Sequence, residues 1–380
     1  MRLAVTLIFL TGLLAALPTS RAATPTKGFV PLGEAHSFKD APTVTEWRFE
    51  EVRGTSPFDK IVLHEVAIGK TPPENPALVV LYLPGTNMNG IVAPDDVKHS
   101  LALYLATHGV DFWAMDYRTH YIPPSTEQAG LTELKGWTYD LFASDIDEAV
   151  KFIRAHTKRG KIFLAGFSRG VTNAYLYAAL HPENVQGIIA LDGFVSKRAP
   201  TGEAPADVYG DDVAGKHLTY DKRKTLMEMV IANPDGPAPI PKYKTARENL
   251  EHVVNEAGGL FGGHGGLANP LGGKSDAVEL AKLLITYDRY WPTVQDFDHP
   301  FTPDRLAALE QSKIPVIAFA STNIAPEWPA MVEQSAHSTG AKDVSFTRLD
   351  GSGHLDVLCG NDSEVIVFTP TLAFIKRHQK

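Results

Sequence analysis

The sequence predicts an α/β fold: a mainly parallel central sheet with helices on both faces, and a largely helical insertion late in the chain. Three observations carry this. Short, continuously apolar runs recur at Ala77–Leu83, Ile162–Ala165, Val185–Leu191 and Ile314–Ala320, as strands buried on both faces require. Helix-length segments separate most of them, and parallel neighbours need crossovers of that size. Residues 193–312 then break the alternation and are too long for a connecting loop in a compact core.

The chain has 380 residues, 44% hydrophobic and 21% charged, enough for one large domain with an insertion, or for two domains. Residues 1–22 read as a signal peptide. Arg2 gives a positive start, and Leu3–Pro18 is an apolar core broken only by Thr6, Thr11 and Gly12. Small residues around Ala22 predict cleavage before Ala23. The apolar core is short for spanning a bilayer. The expectation is therefore a periplasmic or secreted protein without a stable membrane span after cleavage. Cys359 is the only cysteine, so no internal disulfide can form. A net charge of −8 without clustered Lys and Arg excludes the electrostatic footprint of a nucleic-acid binder. Lys222-Arg223-Lys224 reads as a solvated helix face.

Residues 23–45 look like an extended lead-in. Trp47–Val52 and Lys60–Ile68 follow as strands around the turn signal Gly54–Pro57. Ala77–Leu83 is the most β-like run of the first third and opens into the polar loop Pro84–Gly90. A helix is expected over Pro94–His108 and a strand over Val110–Met115. Helical spacing of Leu141, Phe142, Ile146, Ala149, Val150 and Ile153 marks Tyr139–His156. The insertion should carry helices at Lys222–Ala232, Arg247–Asn255 and Ala277–Leu284, divided by the Gly-rich stretch Gly258–Gly273. Its aromatics Phe261, Tyr287, Tyr290, Trp291 and Phe297 could line an apolar pocket. A helix at Met331–His337, a strand at Val344–Leu349 and a helix at Val365–His378 complete the pattern. The division expected is 23–192 and 313–380 for the core, and 193–312 for a cap. Ala268–Ser275 nearly spells a phosphate-binding loop but lacks the buried strand such a loop needs before it, and reads as a mobile cap loop.

Lys161–Pro182 organises the chain. Gly166-Phe167-Ser168-Arg169-Gly170 lies where a buried strand turns into a helix. So tight a turn needs glycine on both sides and lifts the serine oxygen clear of the sheet. The helix behind offers unpaired N–H groups and a positive dipole end to an oxygen that becomes negative. A serine hydroxyl needs a base, and imidazole titrates near neutrality. His354, in the Gly-Ser-Gly loop after the strand Val344–Leu349, would emerge at the same sheet edge; His120 and His264 are its loop rivals.

From Trp47 onward this arrangement resembles the α/β-hydrolase superfamily. The elbow Gly166–Gly170, the loop Leu83-Pro84-Gly85-Thr86 and the late Gly351-Ser352-Gly353-His354 carry the resemblance, in the family's order. It implies Ser168 as nucleophile, His354 as base, and an oxyanion hole from the backbone of Arg169 and of Thr86 or Asn87. At the family's usual acid position this chain has Asn323, which cannot stabilise imidazolium as a carboxylate does. Asp192, ending the strand after the nucleophile, is the favoured acid, and Glu327 is the alternative. Asp356 reads as a local partner of its own loop. The expected function is exported ester hydrolysis through an acyl-enzyme on a small-molecule ester, with no cofactor and no metal. A peptidase or amidase on the same residues, or a binding protein that keeps the fold, are the alternatives. Oligomeric state is left open.

Overall fold

The computed structural model describes residues 28–127, 131–195, 210–211, 219–255 and 272–379. The signal segment, Phe261, His264 and most of the Gly-rich stretch fall outside these. Strands β1 (Val30–Pro31) and β2 (His36–Ser37) pair with β3 (Val44–Val52), which forms an antiparallel hairpin with β4 (Lys60–Ile68). Next come β5 (Val79–Leu83), α1 (Leu101–Thr107), β6 (Asp111–Asp116), α2 (Tyr139–Thr157), β7 (Ile162–Phe167), α3 (Arg169–Leu180) and β8 (Val185–Leu191). The insertion holds β9 (Gly210–Asp211), α4 (Tyr220–Ala232), α5 (Ala246–Asn255), α6 (Ala277–Leu284), β10 (Tyr290–Trp291), α7 (Val294–Phe297) and α8 (Pro303–Gln311). The chain closes with β11 (Val316–Ser321), α9 (Trp328–Ala336), β12 (Val344–Leu349), α10 (Asp356–Cys359) and α11 (Thr369–Arg377).

The main sheet runs β1-β3-β4-β6-β5-β7-β8-β11-β12 and is parallel from β6 to β12. Alternate strand residues feed two cores, as the period of two demands. Val80, Phe112, Phe163 and Ile189 pack with α1 and α11 on one face. Leu81, Trp113, Leu164 and Ile188 pack with α2 and α3 on the other. Strand order reverses between β5 and β7, and at such a switch point two successive loops diverge and leave a crevice at the carboxyl ends of the strands.

Three expectations are corrected. The helix expected from Pro94 begins at Leu101, because Asp96 Oδ1 accepts the N–H groups of Lys98 and His99 and holds the chain in a turn. Ser100 then caps α1. The terminal helix starts as a π-helical turn, Glu364–Phe368, before α11; Pro370 lacks the N–H that a continuous α-helix would use there. Arg223 is fully buried rather than solvated. Its guanidinium donates to the carbonyls of Leu284 and Tyr287, at the end of α6, where a cation suits the helix's negative pole.

Candidate active site

Ser168 joins β7 to α3 with φ +54° and ψ −121°, a backbone conformation uncommon for serine that costs on the order of 1–3 kcal/mol. The surrounding backbone leaves no room for side chains at the neighbouring glycines. A Cβ on Gly166 would stand 2.4 Å from the Gly170 carbonyl oxygen, and one on Gly170 only 1.9 Å from that of Leu83. Gly85 likewise sits against Ser168 and Phe167. The crossing of β5, β7 and α3 thus presses the loop after β5 onto the serine. Arg169 is the first helical residue, so its backbone N–H is an uncommitted donor.

Asp192 follows β8 at φ +53° and is completely buried. Its carboxylate accepts four hydrogen bonds: Ser321 N–H at 2.7 Å, Ser321 Oγ at 2.6 Å, Trp328 Nε1 at 2.8 Å and His354 Nδ1 at 2.6 Å. His354 is also buried, and its ring stacks 4.6 Å from that of Phe167, next to Ser168. The bond from Nδ1 to Asp192 fixes the orientation of the imidazole ring. Asn323 secures the histidine loop: its N–H donates to Ser352 O and its amide to Gly351 O, each at 3.0 Å. Asp356 also fastens this loop. It accepts from Gly353 N–H, Lys274 N–H and Ser275 Oγ. The end of the supposed mobile cap loop is therefore anchored, because Ser275 and Lys274 found a buried carboxylate. Glu327 is exposed and precedes α9, and no bond joins it to His354.

Around the loop after β5, side chains invisible as a set in the sequence come together. Thr86 Oγ1 accepts from Arg169 Nε at 2.8 Å, and the same guanidinium reaches Tyr139 at 3.0 Å, Asp296 and the face of Trp291. Asp116 Oδ1 accepts Gly90 N–H at 2.7 Å, while its Oδ2 meets Tyr121 and His64 Nε2. Burial alone would lower the His64 pKa; Asp116 and Glu46 outweigh it and hold it up at about 10. His120, the loop rival of His354, is instead 2.7 Å from Asp288 of the insertion. Asp96, His99 and Glu279 bring ligand-type atoms within 4.8 Å of one another, a grouping no sequence spacing reveals. The ammonium of Lys282 lies 3.2 Å from Glu279 and supplies positive charge there. Tyr287, Tyr290 and Trp291 are buried in the two cores, with Trp291 edge-on to Tyr117 and Phe142.

A family model for the alpha/beta hydrolase fold matches residues 79–213. The solved structure of a Sulfolobus solfataricus protein assigned as a lipase is 25% identical, with 93% of this chain and 99% of that chain covered at a TM-score of 0.75. The chain has the α/β-hydrolase fold, and residues 79–213 match that family's model. A thermophilic esterase from Thermogutta terrifontis is 16% identical, with 88% of this chain and 99% of that chain covered, at a TM-score of 0.45. A monoacylglycerol lipase from Paleococcus ferrophilus is 15% identical over 79% of this chain and 94% of that chain, at a TM-score of 0.46. No curated protein sequence matches. Among the described residues, no helix is long and apolar enough to cross a membrane.

Proposed function

We propose that this α/β hydrolase is an exported serine hydrolase of carboxylic esters. The observation that carries the reading is the 2.6 Å bond from His354 Nδ1 to fully buried Asp192, set beside a serine on a positive-φ turn. Ser168 Oγ attacks the acyl carbon while His354 takes its proton. The backbone N–H groups of Arg169 and Thr86, with Asn87 as the alternative to Thr86, receive the oxyanion. His354 then returns the proton to the leaving alcohol, and water releases the acyl group by the same route. Asp192 orients His354 and stabilises its charged form. The insertion 193–312 acts as a cap over this edge; contacts of Thr286–Arg289 with the loop after β5 support that role. The apolar leader and the small residues before Ala23 support export.

The test is a panel of p-nitrophenyl esters beside aminoacyl p-nitroanilides, run on the wild type, Ser168→Ala and Asp192→Asn. The expected result is ester turnover that falls by about 10⁴-fold or more in Ser168→Ala and by about 10³–10⁴-fold in Asp192→Asn. Preference for the anilides would replace esterase by peptidase or amidase. Saturable binding without any turnover would leave only a binding protein.

A further inference from the structure

The loop after β5 is not held by the core alone. Asn87, at φ +58° and 2% exposed, uses its amide to donate to the carbonyls of Asp288 and Arg289 at 3.1 and 3.3 Å. Its own carbonyl accepts the Asp288 N–H at 2.7 Å. The Asn89 amide donates to Thr286 O at 2.7 Å and to Asp288 Oδ1 at 3.0 Å, while its oxygen accepts Ile91 N–H at 3.1 Å. Both amide protons are thereby committed. Asp288 Oδ1 is shared with His120 Nδ1 at 2.7 Å, and His120 belongs to the core segment Arg118–Tyr121 just after β6.

The result is a closed circuit from the core, through His120 and Asp288 of the insertion, back to the core loop through Asn87 and Asn89. Thr86 and Asn87 lie on that loop. An oxyanion donor works only if it is fixed before charge develops, and a positive-φ asparagine in a polar loop does not fix itself. We propose that Asn87, Asn89 and the Asp288–His120 pair are positioning residues through which Thr286–Arg289 of the insertion holds the backbone of Thr86 and Asn87 in place for the oxyanion. The inference rests on the ester-hydrolase reading above. Under it, this part of the insertion cannot lift away as a free lid without dismantling the donor loop.

The experiment compares the wild type with Asn89→Ala, Asp288→Ala, His120→Gln and the conservative Asp288→Asn. It measures kcat per site titrated with a fluorophosphonate, KM for one p-nitrophenyl ester, and Ki for an arylboronic acid. Boron accepts the Ser168 oxygen to give a tetrahedral adduct whose oxygen occupies the oxyanion position, the serine proton passing to His354. Expected in both alanine variants is a loss of about 10–100-fold in kcat, the scale of a small misplacement of a reacting group. Ki should rise in step and KM should change by less than about threefold. Asp288→Asn keeps an oxygen that accepts from Asn89 and His120 and should retain most of the activity. His120→Gln, at a half-buried site, should lose several-fold. Titration counts only folded sites, so a general loss of stability does not mimic this pattern. Variants that keep wild-type kcat per site, that lose affinity in KM alone, or that leave Ki unmoved would overturn the proposal. A wild type that neither turns over esters nor labels at Ser168 would instead bring down the parent reading, and this inference with it.

Discussion

Asn323 stands where the superfamily resemblance places an aspartate, and its surroundings explain why an amide suits the position. Its side chain donates to the Gly351 carbonyl, whereas a carboxylate can only accept. Asn323→Asp should therefore lower stability by about 0.5–1.5 kcal/mol, read from the urea midpoint, and should not restore turnover to Asp192→Asn. If it does restore turnover, Asp192 is not the sole competent acid. Glu327→Gln, at an exposed site with no bond to His354, should leave kcat within about twofold. Much of this was legible in the sequence: an apolar run ending at Leu191 makes Asp192 a strand-end carboxylate, and Gly-Ser-Gly marks the histidine loop. The partners of Asp192 were not. Ser321 and Trp328 lie far along the chain and reach it only because β8 and β11 are neighbours in the sheet.

At the scale of elements, the elbow is a packing constraint as much as a chemical one. α3 passes so close to β5 that a methyl group on Gly170 would overlap the Leu83 carbonyl. Gly170→Ala should cost about 3 kcal/mol or more, since backbone has to move. Fluorophosphonate labelling of the folded fraction should fall too; normal stability and labelling in that variant would mean the crossing is looser than described. Strands were readable from the sequence because burial on both faces leaves a continuous apolar signature. Helix starts were less so. Over Pro94–Ser100 only the side-chain bonds of Asp96 show that a turn wins. Arg223 misled for a related reason: a basic triplet looks solvated until a second helix end arrives to accept its hydrogens.

Across the whole molecule, the buried charges divide into those that stabilise and those that cost. Asp111 and Glu65 are buried neighbours on adjacent strands, and desolvation raises both pKa values. A carboxyl raised on folding favours the native state fully only below its unfolded pKa, near 4, and its contribution is lost as pH rises through the folded value. Asp111→Asn, which still accepts from Trp113, should raise the melting temperature at pH 8 and bring no gain near pH 4. His64 has the opposite consequence at neutrality. Held at about 10 by Asp116 and Glu46 against burial, it contributes most below pH 6.5 and loses that contribution as pH rises through 10. The stability deficit of His64→Gln should shrink between pH 7 and pH 10.5. The sequence announced an insertion by its length, but not that Thr286–Arg289 would be bonded into the loop after β5, because those contacts join residues about two hundred positions apart. The central claim remains that Ser168, activated by His354 and Asp192, is the reactive oxygen. Intact-mass and peptide analysis after fluorophosphonate treatment tests it most directly. One adduct per chain is expected, on the peptide carrying Ser168, absent in Ser168→Ala and formed about a thousandfold more slowly in His354→Gln. An adduct elsewhere, or one that persists in Ser168→Ala, would contradict it.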